Sequence, residues 1–509
     1  MSYPTGRRRF LGLAAATLGL TACGATAASA PAPEPTGPDP APAPSPSPSA
    51  VQDENSRPGD ADWAITDPGP PEAVQGYADR VGVLPGESFG LYVSTTDPGF
   101  TVSAYRMGWY GGARARLVWR SGRLPGTRQP AAVTDPRTRT VRAPWERTTT
   151  VDTTGWPEGS YLLRLDADTG RRFVPLTVRS RSTAGRTVIV NAVATWQAYN
   201  EWGGHSLYNG PTGGYRTRAL EVSFDRPYHY DDGAGLFLVY EAPLIALAER
   251  IGLPLAYTTG PDLARDPALL RGATAVLSPG HDEYWSDEQR RHVTAAREAG
   301  TNLAFLGANC CYRRVRYEPS PLGEDRTVVC WKSDYRDDPG FRAGRPATCD
   351  FRAGPGADPE STLLGVMYDG YPVDAPYVVS NPGHWLLAGT GAKEGDSFPH
   401  LVGVEYDRVL PEWPTPGPIE LVSHSPVVCE GRGSYADSAY WTAPSGAAVF
   451  ASGTMRWVEA LDANGPGGGR ADHGMDHRAG TFTRQVTENL LRAFAAGPAG
   501  PAHPVRSPL

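Results

Sequence analysis

From about Ala61 to Ser180 apolar and polar residues alternate in short runs: "SFGLYVST", "FTVSAYRMGWY", "ARLVWRS", "TTTVDTT", "SYLLRLDA" and "RRFVPLTV". A period of two, interrupted by Gly, Pro and Asp, gives each run one core face and turns the chain between runs. This predicts an antiparallel β-sandwich over residues 61–182. The aromatics of "YRMGWYGG" fit its core and turns better than a flat sugar-stacking platform.

After Arg186 the rhythm changes. "TVIVNAVAT", "LPLAYTT", "ATAVLSP" and "TNLAFLGAN" read as buried strands. "PLIALAERIG", "GPDLARDPALLRG" and "SDEQRRHVTAAREAG" read as the helices between them. In "PLIALAERIG", Leu244, Leu247, Ala248 and Ile251 fall on one face and Pro243 suits the first turn. Strands alternating with such helices predict βαβ units in a mostly parallel sheet, an α/β domain over residues 183–498 with a short tail, 499–509. Residues 310–400 lose the pattern and read as a long Pro- and Gly-rich insertion held by disulfides. Beyond it, "LVGVEYDRVL", "IELVSHSPVV" and "AAVFASGTMRWVEAL" return to strands, and "TENLLRAFAAG" to a closing helix.

The N-terminus adds an address. "GRRRFLGLAAATLGLTAC" joins Arg7-Arg8 and Phe10-Leu11 to an apolar stretch too short to span a bilayer. It resembles a twin-arginine signal over residues 1–23 ending in a lipobox, with Cys23 lipidated. The expectation is an exported lipoprotein, anchored to the membrane at Cys23. Residues 24–60, rich in Pro, Ala and Ser, read as a semi-extended tether. A net charge of -7 and a pI near 5.9 leave no basic stripe for nucleic acid. No Walker or GxGxxG sequence follows a strand, so nucleotide binding has no support. Cys310, Cys311, Cys330, Cys349 and Cys429 remain after Cys23, an odd set that in an exported protein allows two disulfides and one free thiol.

Ligands of parallel sheets lie beyond the carboxyl ends of the strands. "WQAYNEWGG", "SPGHDEYWS" and "GANCCYR" all stand there, so three strand ends rich in polar side chains are expected to meet in one crevice. Within "GHDEYW", His281 and Glu283 are two apart and fall on one side of an extended segment. A carboxylate ligand beside an imidazole suits metal-assisted hydrolysis. The plainer reading has Asp282 and Ser286 capping the next helix while His281 and Tyr284 fill space.

"GYADRVGVLPGESFGLYVST", "YRMGWYGG", "TWQAYNEWGGHSLY", "YEAPLIALAERIGLPLAYTT", "SPGHDEYWS", "LGANCCYRRVRYE", "LVGVEYD" and "FASGTMRW" together resemble the large (beta) subunit family of N,N-dimethylformamidase, from about Gly76 to the C-terminal helix. The resemblance implies a single ferric iron held by two tyrosines and a glutamate, here Tyr199, Tyr240 and Glu283. It also implies His281 as proton carrier, Asn309 as hydrogen-bond donor to the polarised carbonyl, and Glu405 as a further acid or base. Phenolate and carboxylate are hard donors suited to a hard trivalent ion. The implied activity is hydrolysis of small amide-like C–N bonds. The family's characterised enzyme pairs its large subunit with a small one; no segment here corresponds to it, which leaves room for a separate small subunit or a homo-oligomer. Two other readings stay open: a thiol hydrolase using Cys310 in an amidotransferase-like α/β body, and a tethered saccharide- or ligand-binding lipoprotein without catalysis.

Overall fold

The computed structural model describes residues 50–462 and 473–506. The signal, Cys23 and most of the tether lie outside them. Regular structure is mostly β, in several sheets, with few helices. Among the described residues no helix is long and apolar enough to cross a membrane.

Two sheets in the first part of the chain share one core. The smaller is antiparallel and joins Val74–Ala78, Ser88–Thr95 and Thr149–Asp152. The larger is centred on Gly159–Ala167, which runs antiparallel to both Gly99–Met107 and Arg171–Val178. Its register sets Leu163 between Ala104 and Val174, and all three are buried with Leu91 and Val93 of the smaller sheet. The period of two thus delivers a shared apolar interior. Tyr105, Met107 and Tyr110 are buried rather than displayed as a platform.

A seven-stranded sheet forms the centre of the second part. Leu255–Thr259, Thr187–Asn191, Ala275–Gly280, Asn302–Gly307 and Ala448–Ala451 run parallel; Arg432–Thr442 and Glu420–Cys429 extend one edge antiparallel. Alternate residues feed cores on opposite faces. Ile189, Leu277 and Leu306 pack with the helices Ala242–Arg250 and His477–Ala495, while Val188, Val276 and Phe305 pack with Asp287–Glu298. A parallel sheet covered on both faces needs such uninterrupted apolar strands.

Three expectations are corrected. Residues 310–400 do stand outside the central sheet, between its strands, but they are regular β-structure and not a stretch without pattern. Arg313–Ser320 and Gly323–Val329 form a hairpin within a four-stranded sheet, and Met367–Val378 pairs with Ser397–Arg408 as a long ribbon. Nor do disulfides hold this region: Cys310, Cys311, Cys330, Cys349 and Cys429 are all free thiols. Ladder hydrogen bonds and buried ion pairs such as Arg316–Asp338, 2.7 Å, do that work. Finally, the end of the expected tether is docked. Ala50–Asn55 is a helix whose Glu54 accepts from Tyr110 and Arg116 and whose Asn55 accepts from the backbone of Trp109 and Tyr110.

Of the ion pairs that join the first part to the second, one is fully buried. Arg106 lies 2.6 Å from Glu249, and neither side chain has any solvent exposure. Tyr257 donates to Glu249 at 2.7 Å, and Arg106 donates to the Tyr110 hydroxyl at 2.9 Å. Losing one partner would strand the other charge in a dry interface. Glu249→Ala is therefore expected to lower the unfolding free energy by about 3–5 kcal/mol, measured by chemical denaturation; a loss under about 1 kcal/mol would show that water or another carboxylate takes over.

Candidate functional site

The strand ends converge as the sequence suggests. Thr187–Asn191 leads into the helix Val193–Tyr199, which places Tyr199 at its last residue. The Glu241 carboxylate fixes the start of that helix, accepting from the Ala192 N–H at 2.9 Å and the Trp196 indole at 2.8 Å. Further along, Thr195 Oγ1 accepts the Glu283 N–H at 3.0 Å and so ties helix to turn.

Ala275–Gly280 ends in that turn. Gly280 has φ +53°, and a Cβ there would lie 2.4 Å from the Cβ of Tyr240, so glycine is required for both conformation and space. The close approach brings Tyr240 alongside His281. Ser286 caps the following helix, accepting from the Gln289 N–H at 3.1 Å. Asp282 does not cap it: buried, it accepts from Ser278 at 3.0 Å, and burial raises its pKa to about 7.

Glu283 is fully buried at the centre. Tyr199 donates to its Oε2 at 2.7 Å and Tyr208 to its Oε1 at 2.6 Å. Arg313 donates from Nε to Oε1 at 3.3 Å. Burial, then the charge of Glu283, holds both phenols well above their ordinary pKa, so they stand as donors to the carboxylate. His281 Nε2 is 3.0 Å from the Tyr199 hydroxyl; Nδ1 faces the Ala308 carbonyl at 3.5 Å and Glu405 Oε2 at 3.8 Å. Burial lowers the pKa of His281, which keeps the ring neutral.

Tyr240 sits at His281 with ring centroids 6.0 Å apart, against 5.2 Å for Tyr199. Among the described residues its hydroxyl makes no hydrogen bond to Tyr199 or Glu283. Asn309, at φ +57°, follows Asn302–Gly307 and donates its N–H to Asp407 at 2.8 Å. Both Asn309 Oδ1 and Glu405 Oε2 are buried with no hydrogen-bond partner among the described residues. Glu405 is no exposed strand residue: burial, then Glu283, raises its pKa. Cys310 is buried and its thiol is held protonated by that burial, the reverse of an activated nucleophile.

Tyr199, His281, Glu283, Asn309 and Glu405 thus lie around one centre, with Tyr240 beside His281. Tyr208, Arg313 and Lys332 were not expected there. Tyr208 ends the "WQAYNEWGGHSLY" stretch, and its only sequence signal is that aromatic-rich loop beyond a strand. Lys332 is buried, donates to the Leu207 carbonyl at 2.8 Å and places Nζ 3.4 Å from the centroid of the Tyr208 ring.

No group of three or more His, Cys, Asp and Glu side chains is placed to hold a metal among the described residues. A metal here would need the phenols. The donor set does fit a hard cation: phenol and carboxylate oxygens 2.7 Å apart share a proton that a cation can replace, and unpartnered amide and carboxyl oxygens stand nearby.

A family model described as N,N-dimethylformamidase beta subunit-like, C-terminal, matches residues 101–472. The chain belongs to this family. The match starts within the larger sheet of the first part and runs through every strand of the central sheet. No curated protein matches the chain.

Burial also sets a pH dependence. Asp407 is buried and its pKa is raised from 3.8 to about 8 by that burial. Because the folded value exceeds the unfolded one, folding takes up a proton; the associated stability is complete below about pH 4 and disappears as pH rises through about 8. Asp282 and Glu241, raised to about 7 and about 8, add in the same direction. The metal-free protein is expected to lose unfolding free energy steadily from acid to mildly alkaline pH, and Asp407→Asn to flatten part of that slope. Denaturant titrations across the range check this; identical slopes in both proteins would refute it.

Proposed function

We propose that the chain is a metal-dependent hydrolase of small amide-like C–N bonds, with a mononuclear ferric iron held by Tyr199, Tyr240 and Glu283. The observation that carries the reading is the buried Glu283 carboxylate with the Tyr199 hydroxyl 2.7 Å from its Oε2. Two hard oxygen donors are already in place, and Tyr240 adds a second phenol at His281. When bound, the iron supplies Lewis acidity toward an amide carbonyl and water.

The other groups handle protons and charge. His281 is neutral and reaches Tyr199 through Nε2 and Glu405 through Nδ1, so it can carry a proton between the centre and Glu405. Glu405, with its pKa raised by burial and Glu283, holds a proton near neutral pH and can deliver it to a departing amine. Asn309, beside Glu405, offers its amide to a developing oxyanion.

This reading takes the chain as a sandwich followed by a mostly parallel, amidotransferase-like α/β body, exported by its twin-arginine signal and anchored through Cys23. The family description speaks of a beta subunit, which supports assembly with a small partner or with further copies. The export signal and tether set the chain apart from a cytoplasmic formamide-degrading enzyme, so the substrate is given as a class, small amides.

Purified without chelators, the protein is expected to contain stoichiometric iron, with a tyrosinate-to-iron absorption band weakened in Tyr199→Phe and Tyr240→Phe. On an amide turned over by the wild type, His281→Ala should lower kcat by about 100-fold or more. Folded Tyr199→Phe and Glu283→Ala proteins as active as wild type would remove this function.

A further inference from the structure

The two oxygens of Glu283 are used differently. Oε2 takes the Tyr199 hydroxyl at 2.7 Å and lies 3.7 Å from His281 Nε2. Oε1 takes the Tyr208 hydroxyl at 2.6 Å and Arg313 Nε at 3.3 Å. One oxygen faces the proton carrier and the candidate ligand; the other is engaged by groups outside that set, with the Tyr208 hydroxyl 3.3 Å from that of Tyr199.

Tyr208 is also unusually well fixed. Its ring stacks on Tyr199 with centroids 4.7 Å apart and planes 29° apart. Lys332 Nζ stands 3.4 Å from its centroid, anchored by the Leu207 carbonyl at 2.8 Å. Lys332 is 1% exposed, has φ +56° and makes no ion pair among the described residues. Burying an amine without a carboxylate costs folding free energy, and a non-glycine residue in the left-handed region adds to it. What this arrangement secures is an immobile ring at position 208 with its hydroxyl on Glu283.

We propose that Tyr208, backed by Lys332 and joined by Arg313, is a positioning residue of the metal centre: its hydroxyl occupies Oε1 of Glu283 and leaves Oε2, on the Tyr199 side, to meet the cation. The inference rests on the iron-site reading above and adds a third phenol that is not a ligand. A carboxylate held by outer partners loses little freedom when a cation arrives and cannot swing to offer both oxygens. Such partners commonly contribute 10- to 100-fold in metal affinity, roughly the effect of removing one.

Tyr208→Phe tests this, because it keeps the ring under Lys332 and against Tyr199 and deletes only the hydroxyl. The metal-free variant should stay folded, with its melting temperature lowered by the loss of one donor to the buried carboxylate. Its iron affinity, measured by competition with a chelator, should fall by about 10- to 100-fold. At saturating iron the tyrosinate-to-iron band should keep its wavelength and intensity, since the two ligand phenolates remain. Lys332→Met, which leaves the hydroxyl present but unbacked, should weaken affinity in the same direction with the band unchanged. A Tyr208→Phe band lost or shifted as in Tyr199→Phe would make Tyr208 a ligand and overturn the proposal, and wild-type iron affinity in both variants would also overturn it. A wild-type protein that binds no iron would overturn this inference and the proposed function together; a loaded wild type with unaffected variants would overturn this one alone.

Discussion

Glu283 has no contact with solvent, and a carboxylate removed from water must recover its lost hydration from fixed donors or give up its charge. The donors here are two phenols, from Tyr199 and Tyr208, and the Arg313 guanidinium. Each comes from a different stretch of chain, so satisfying one carboxylate requires a strand end, a following loop and a distant hairpin to meet. The Glu283 backbone contributes as well. Its N–H bonds Thr195, and its carbonyl accepts the Tyr312 and Arg313 N–H groups at 3.0 and 2.8 Å. The geometry of the candidate centre follows largely from this one demand.

Support for the phenols reaches further out. The loop between Tyr199 and Tyr208 is held by Arg226, which is fully buried and donates to the carbonyls of Asn200, Trp202 and His205 at 2.8–2.9 Å. Burial pulls its pKa down to about 9, which leaves it charged at neutral pH and committed to those carbonyls. At the other end of the helix carrying Tyr199, Asn191 links the two parts of the molecule. It donates to Glu241 and accepts from Ser160 and Thr177 of the larger sheet in the first part. That sheet therefore bears on the site through Asn191, Glu241 and the helix start, and serves as more than a neighbouring body.

The parts of this architecture that depend on periodicity are legible in the sequence. Strands such as "TVIVNA" and "TNLAFLG" carry unbroken apolar runs, Val188–Val190 and Leu303–Leu306, because both faces are covered, and the rule for strand ends then locates "WQAYN", "GHDEYW" and "GAN" together. Of the ribbon, Met367–Val378 is not legible, because Gly370, Pro372 and several register shifts break its alternation, whereas its partner Ser397–Arg408 shows as the strand "LVGVEYDRVL". The cysteines mislead for another reason: an odd set in a chain expected to be exported argues from compartment and says nothing of which thiols can meet. Tyr208 and Lys332 escape notice because a tyrosine in a loop and a lysine after a strand look like surface residues until the fold sets the lysine on the ring whose hydroxyl bonds Glu283. His281 and Glu283 stand out in sequence; their partners do so only in three dimensions.

The claim that Tyr199, Tyr240 and Glu283 hold an iron ion is tested most directly by diffraction from crystals of the protein, with anomalous data collected on both sides of the iron absorption edge. The account predicts one strong iron-specific peak in contact with the oxygens of Tyr199, Tyr240 and Glu283 Oε2, with Tyr208 still on Oε1. No iron-specific peak at Glu283 after iron loading, or one bound elsewhere on the chain, would contradict it.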